Sequence, residues 1–260
     1  MPSNRRDPVV ALGVDLDRTL IRPGGTSFAA ASNVLATVHR LGLKVILASG
    51  REYVQLAAIA RQLQHVDALV AENGAVIEAP IRAPVRVVGR ASGTRVRERL
   101  AALHATGVEY GEVVVSVPRA MERRVARLLE GLEVDLVPNV DRVMVLPPGV
   151  TKATGMRLAL RALHLGSHRF AAIGDAENDI DLLRAAALSG AVGNAEPRVR
   201  AIADYVSRAR FEAGVAEFVT GPLTGYLAGR PRSPGSNPEL PREPGPGLDH
   251  RIRPVRRTSG

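Results

Sequence analysis

The chain has 260 residues, 45% of them hydrophobic, a formal net charge of +9 and no cysteine. That length and apolar content support a sizeable core in one or two domains, and the missing cysteine excludes disulfides and thiolate-held metals. Aromatics make up only 3% and tryptophan is absent, so the core must be built from Val, Leu, Ile and Ala.

The segment Met1-Pro2-Ser3-Asn4-Arg5-Arg6 leads into an apolar run too short for the hydrophobic part of a signal peptide. No stretch reaches the ~18 apolar residues of a membrane-spanning helix. The expectation is a soluble, cytoplasmic protein with no membrane partner. The positive charge raises the question of nucleic acid. Seven Arg stand against three acids from Gly229 to Gly260, while the remaining charge is spread along the chain rather than held in one block. No aromatic stacking platform or helix-turn-helix pattern accompanies it. Nucleic-acid binding is therefore not expected.

Val9 to Val14 is an uninterrupted apolar run and reads as a fully buried strand. It ends at Asp15-Leu16-Asp17-Arg18-Thr19. Thr26 or Ser27 can cap a helix that runs to about Arg40 and is closed by Gly42. Leu43 to Ala48 is a second strand, ending at Ser49-Gly50-Arg51. A helix follows with Val54, Ala57, Ala58 and Leu63 at helical spacing. Ala68 to Ala71 is a third strand, ending at Glu72-Asn73-Gly74-Ala75. Strands separated by helices of this length predict an α/β fold with a Rossmann-like parallel sheet, its core spanning residues 1–80 and 151–228.

Between 81 and 150 the pattern changes. Val85 to Val88, Glu112 to Val117 and Asp141 to Leu146 read as half-exposed strands. Charged helices are expected over Thr94–His104 and Arg119–Glu130. This segment predicts a small inserted α+β cap domain, closed by Pro147-Pro148-Gly149. The helix–strand order then resumes with a helix over Thr154–His164, a strand at Phe170–Ile173, a helix over Ile180–Ala187 and a short strand at Ala191-Val192. From 229 to 260 a Pro/Arg-rich, aperiodic segment reads as a disordered tail.

Two acids two residues apart at the carboxyl end of a buried strand stand where open α/β sheets bind ligands. They repel unless a cation lies between them, which points to a hard metal such as magnesium, with one carboxylate left to attack or to move a proton. A helix-capping turn is the plainer alternative. Other strand ends carry matching groups. Phosphoryl transfer needs a nucleophile, a metal, a cation and hydroxyl or N–H donors. Asp15 offers the nucleophile, Ser49 and the Gly50 amide the donors, Lys152 the cation, and Asp15 with Asp175 the metal site.

In these residues the chain resembles the haloacid dehalogenase superfamily of phosphatases. Asp15-Leu16-Asp17-Arg18-Thr19 is similar to its first motif and Leu47-Ala48-Ser49-Gly50-Arg51 to its second. Lys152 after Gly149-Val150-Thr151 is similar to the third, and Gly174-Asp175-Ala176-Glu177-Asn178-Asp179 to the fourth. Glu72-Asn73-Gly74-Ala75 and Val192-Gly193-Asn194-Ala195 resemble accessory motifs of the Cof-type branch. The likeness spans residues 9 to about 220.

The resemblance implies that Asp15 forms an aspartyl-phosphate and that Asp17 is the general acid and base. It implies Mg²⁺ held by Asp15, Asp175, Asp179 and the backbone carbonyl of Asp17. Ser49, Gly50, Lys152 and Asn178 would hold the phosphoryl group of a small phosphorylated metabolite, and Thr19 would support the first-motif turn. The cap size favours phosphoglycolate or a sugar phosphate. A phosphomutase shares these motifs, and a non-catalytic binding or regulatory protein using the basic tail is the alternative of another class. Arg18 replaces the Gly of many relatives, which implies a turn with φ below zero there. Among the Arg residues of the insert, Arg82, Arg86, Arg119 and Arg123 are candidates for a substrate carboxylate. Asn73 and Asn194 read as turn-shaping residues.

Overall fold

The computed structural model describes residues 8–25, 28–101, 106–166 and 169–229. The expected caps Thr26 and Ser27, the expected helix end at His104 and the Pro/Arg-rich segment from 230 onward lie outside the described residues.

The first half of the large sheet is β1 (Val9–Val14), β2 (Lys44–Ala48), β3 (Ala68–Ala71), β4 (Val76–Glu78) and β5 (Arg86–Val87). Helices α1 (Ala29–Arg40) and α2 (Tyr53–Ala60) supply the crossovers from β1 to β2 and from β2 to β3. After α3 (Arg90–Leu100), a second sheet is built from β6 (Glu109–Tyr110), β7 (Val115–Pro118), β8 (Asp135–Asn139) and β9 (Arg142–Leu146), with α4 (Glu122–Leu128) between β7 and β8. The chain then returns through α5 (Lys152–Ala162) to β10 (Arg169–Gly174), α6 (Ile180–Ala185), β11 (Leu188–Ala191), α7 (Pro197–Ile202), β12 (Tyr205–Val206) and α8 (Phe211–Phe218).

The large sheet has the order β12-β11-β10-β1-β2-β3-β4-β5. Pairing is parallel from β12 to β3, and antiparallel at β3–β4 and β4–β5. β1 lies at the centre with neighbours on both sides, Leu12 standing between Val45 and Ala171. That position explains its unbroken apolar run, since a strand covered on both faces has no solvent side to alternate with. The smaller sheet, β6-β7-β9-β8, is wholly antiparallel. Its own apolar core joins Val96 and Leu100 of α3 and Val125 of α4 to Val115, Val117, Val143 and Val145.

Three local expectations are corrected. Arg86–Val87 is not a strand of the insert but the edge of the large sheet, paired with Val76 and Ile77. β8 was not foreseen, because Pro138 argues against a strand; β8 is an edge strand, where the missing N–H is tolerated. In α2 the buried face is Leu56 and Ala57, whereas Val54 is 73% exposed and Ala58 is exposed. The helix starts at Tyr53, so Val54 falls in a first turn that points to solvent, and Leu63 is buried only after the helix has ended.

One contact fastens the two sheets together. The carboxylate of Glu72, just past β3, accepts hydrogen bonds from the backbone amides of Glu112, Val113 and Val114 at 2.7, 2.9 and 3.0 Å. These amides lie in the turn between β6 and β7, directly after Gly111. A Cβ on Gly111 would stand 2.5 Å from the Glu72 Cδ, so a larger residue there would displace the Glu72 carboxylate from these amides.

Candidate active site

The carboxyl ends of four adjacent parallel strands carry the polar residues. Asp15 follows β1, Ser49 follows β2, Glu72-Asn73-Gly74 follows β3 and Asp175 follows β10. Lys152 is the first residue of α5, whose cap is reciprocal: the Thr154 N–H donates to the Thr151 hydroxyl and the Thr151 N–H to the Thr154 hydroxyl. Gly74, at φ 103°, packs against the Thr151 carbonyl with no room for a Cβ. This close approach pins the start of α5 against the turn after β3 and so places the Lys152 side chain.

Lys152 Nζ donates to Asp15 Oδ1 at 2.7 Å and to Asp179 Oδ1 at 2.6 Å, with no exposed side-chain surface. The other Asp179 oxygen accepts from the amides of Asp175 and Ala176 at 3.0 and 3.1 Å. Asp175 Oδ1 accepts from the Thr19 hydroxyl at 3.1 Å. Thr19, expected to support the first turn, therefore ties the first motif to the fourth. Burial raises the Asp15 pKa well above its ordinary value, and Asp179 adds to this while Lys152 opposes it. Burial, with Asp179, raises Asp175 to about 7 against the lowering effect of Arg18 and Thr19. For Lys152 burial works to depress the ammonium, but Asp15 and Asp179 outweigh it and hold the pKa above the ordinary value.

Ligand atoms of Asp15, Asp175 and Asp179 all lie within 4.8 Å of one another. Asp175 Oδ2 is buried with no hydrogen bond; Arg18 Nε is 3.2 Å away, near enough for charge but not oriented to donate. Three carboxylates, one with an unsatisfied buried oxygen, are the donor set of a hard divalent cation. The residues present thus fit Mg²⁺. The carboxylate of Asp17 stands outside this cluster. Arg51 Nε and Nη2 donate to its two oxygens at 2.7 and 2.6 Å, a bidentate fork.

The reading of Arg18 is corrected. Its φ is 61°, in the left-handed region. Arg18 N–H donates to the Ile21 carbonyl at 2.9 Å, and Asn194 Nδ2 donates to the Arg18 carbonyl at 2.7 Å. The turn thus has the conformation that favours glycine, and contacts from outside it hold a side chain there. Asn194 shapes a turn as expected, though a distant one. Asn73, itself at φ 52°, accepts from Asn178 Nδ2 at 3.1 Å.

These groups open into a cleft of about 330 Å³ between the two sheets, lined from below by Asp15, Asp17, Ser49, Gly50 and Arg51 and from above by Glu109, Ser116 and Arg142. Arg82, Arg86, Arg119 and Arg123 are absent from its lining. The guanidinium groups of the cleft are Arg18, Arg51 and Arg142. Arg51 was legible within the second motif, though without a role. Arg142 carried no motif signal; it becomes visible only when β9 is paired with β7.

The family model described as haloacid dehalogenase-like hydrolase matches residues 12–86 and 139–219. The chain belongs to that family and is a phosphatase, a hydrolase of phosphoric monoesters. It is similar to the phosphoglycolate phosphatase of Archaeoglobus fulgidus, 31% identical over 214 residues covering 80% of this chain and 94% of the relative. It is also similar to that of Methanothermobacter thermautotrophicus, 29% identical over 220 residues covering 80% and 96%. Among solved structures, a protein of Thermoplasma acidophilum superposes with a TM-score of 0.69 at 16% identity, covering 82% of this chain and 97% of that one. A subclass IIB sugar phosphatase of the superfamily superposes at 0.63 with 19% identity, covering 85% and 99%. These two likenesses are of fold. Among the described residues no helix is long and apolar enough to cross a membrane.

Proposed function

We propose that the chain is a cytoplasmic, Mg²⁺-dependent phosphatase that hydrolyses a small phosphomonoester, phosphoglycolate foremost, with Asp15 as nucleophile and the smaller sheet as a cap. The observation that carries this reading is the position of Asp15: it ends the central strand, beside Lys152 and within reach of Asp175 and Asp179. The Asp15 carboxylate attacks phosphorus as the ester oxygen leaves with the bonding electrons and takes a proton from Asp17. Water then attacks the aspartyl-phosphate, Asp17 accepts its proton, and phosphate departs as the Asp15 carboxylate is restored. Ser49, the Gly50 amide and Lys152 hold the phosphoryl oxygens, with Asn178 beside them. Asp15, Asp175, Asp179 and the Asp17 carbonyl would hold Mg²⁺, and Asp179 also orients Lys152 and accepts from the 175–176 amides. When bound, the ion neutralises charge on the transferring phosphoryl group.

Phosphoglycolate is favoured because the curated relatives spanning 80% of the chain carry that activity in their names, and because Arg18, Arg51 and Arg142 line the cleft. The test is turnover of a panel of phosphomonoesters with Mg²⁺. The wild type should release phosphate, foremost from phosphoglycolate. Asp15→Asn should lower kcat by about 10⁴-fold or more, the scale seen when a nucleophile is removed. Full activity in Asp15→Asn, or no turnover of any ester by the wild type, would overturn the reading.

A further inference from the structure

The Arg51–Asp17 fork creates a chemical conflict in the site. Both oxygens of the Asp17 carboxylate serve one guanidinium, at 2.7 and 2.6 Å. A guanidinium keeps its protons at any working pH, so an acid–base group held this way cannot pass a proton to the substrate until the fork lets go. Water can solvate both partners, whose side chains are 36% and 43% exposed, but it offers the guanidinium no planar pair of charged oxygens in return. Another carboxylate does, and the exchange replaces one ion pair with an equivalent one.

Arg51 is placed to make that exchange. Its side chain is 36% exposed and lines the cleft, beyond the buried cluster around Asp15. The other two guanidinium groups face other acids, Arg18 by charge without a hydrogen bond and Arg142 within a set of hydrogen bonds. Arg18 stands against Asp175. Arg142 donates to the Ser116 hydroxyl and to the carbonyls of Ser116 and Gly107, and its charge is met by Glu109 at 3.2 Å. The guanidinium hydrogen bonds of Arg51 all go to Asp17.

We propose that Arg51 recognises a carboxylate on the substrate and that, in shifting its fork to it, it releases Asp17 for proton transfer. Phosphomonoesters with a carboxylate one or two carbons from the ester oxygen thereby assemble the site, while neutral esters bind with Asp17 still parked. The proposal rests on the phosphatase reading above, with Asp17 as acid and base. It turns substrate choice into an ion-pair exchange rather than a matter of fit alone.

The test compares 2-phosphoglycolate with 2-hydroxyethyl phosphate, which has the same skeleton and no carboxylate, using the full chain with Mg²⁺. The wild type should favour phosphoglycolate in kcat/KM by about 100-fold or more, the order expected when a site built for a polar group meets an analogue lacking it. In Arg51→Met that preference should shrink by at least about tenfold, and kcat on 2-hydroxyethyl phosphate should rise as Asp17 is freed. Arg51→Lys, which keeps the charge without the fork, should fall between the two and serves as the readout if the Met variant does not fold. Equal losses on both esters would make Arg51 a holder of Asp17 or of the phosphoryl group, and would overturn the proposal. So would a wild-type preference near one. Turnover of both esters with the ratio unmoved sinks this inference alone; no turnover of any ester sinks the phosphatase reading with it.

Discussion

Lys152 stands between two carboxylates that would repel each other without it, and its ammonium is fully buried. Removing one partner of such a group leaves uncompensated charge, a loss of about 3–5 kcal/mol. Asp15 has a raised pKa and can relieve part of this by taking up a proton, which places the loss near the lower end. At about 2–4 °C per kcal/mol for a domain of this size, Lys152→Met should lower Tm by roughly 6–12 °C near pH 7, read by thermal melting. An unchanged Tm would mean that the acids are already neutral in the free protein. Lys152 was legible in the sequence because it is one of only two lysines in a chain whose other basic side chains, histidine aside, are Arg. Arg18 was not legible. Its φ of 61° is accompanied by hydrogen bonds to Ile21 and from Asn194, the latter more than 170 positions away, a contact only the folded chain reveals.

Among the elements, β1, β2, β3 and β10 were legible because each is covered on both faces and leaves an apolar run, whereas β11 was read only at Ala191 and β12 not at all. β5 was legible as a strand within Val85–Val88, though not as part of the large sheet, and β8 was not foreseen, since its proline argues against a strand. The contact of Glu72 with the β6–β7 turn was equally hidden: the acid lay in a recognised motif, but its partners are backbone amides with no sequence signature. A second acid ties elements together on the other side of the sheet. Asp67, just before β3, accepts from Lys44 Nζ at 2.8 Å and the Val45 amide at 2.9 Å, and lies 2.6 Å from His39 Nε2 of α1. Burial alone would raise its pKa, but the Lys44, Val45 and His39 contacts outweigh that and hold it below the ordinary 3.8. A depressed carboxylate stabilises above its unfolded pKa, and the contribution fades as pH falls through the folded one. Asp67→Asn should therefore melt about 2–4 °C below the wild type at pH 6, for a loss of about 1 kcal/mol. The gap should close as pH falls below 3.8. A gap that stays constant down to pH values well below that would contradict the assignment.

Taken as one molecule, the chain divides its work between two sheets. The parallel sheet brings Asp15, Ser49, Lys152 and Asp175 together from positions more than 150 residues apart, and these were the residues its strand ends disclosed in advance. The smaller sheet closes the cleft with Glu109, Ser116 and Arg142, none of them foreseen, because that surface exists only once β6, β7 and β9 are in register. The family model passes over residues 87–138, the stretch that holds Glu109 and Ser116. On the reading proposed above, the chemistry resides in the large sheet, and the choice of substrate would fall to residues at the junction, Arg51 among them. In the proposed reaction, phosphate passes through the Asp15 carboxylate. Wild-type protein with Mg²⁺ and phosphoglycolate labelled on phosphorus, quenched in acid during a single turnover and mapped by peptide, should carry the phosphoryl group on Asp15. Product formed with no label on the protein at any time, or with the label on another residue, would contradict it.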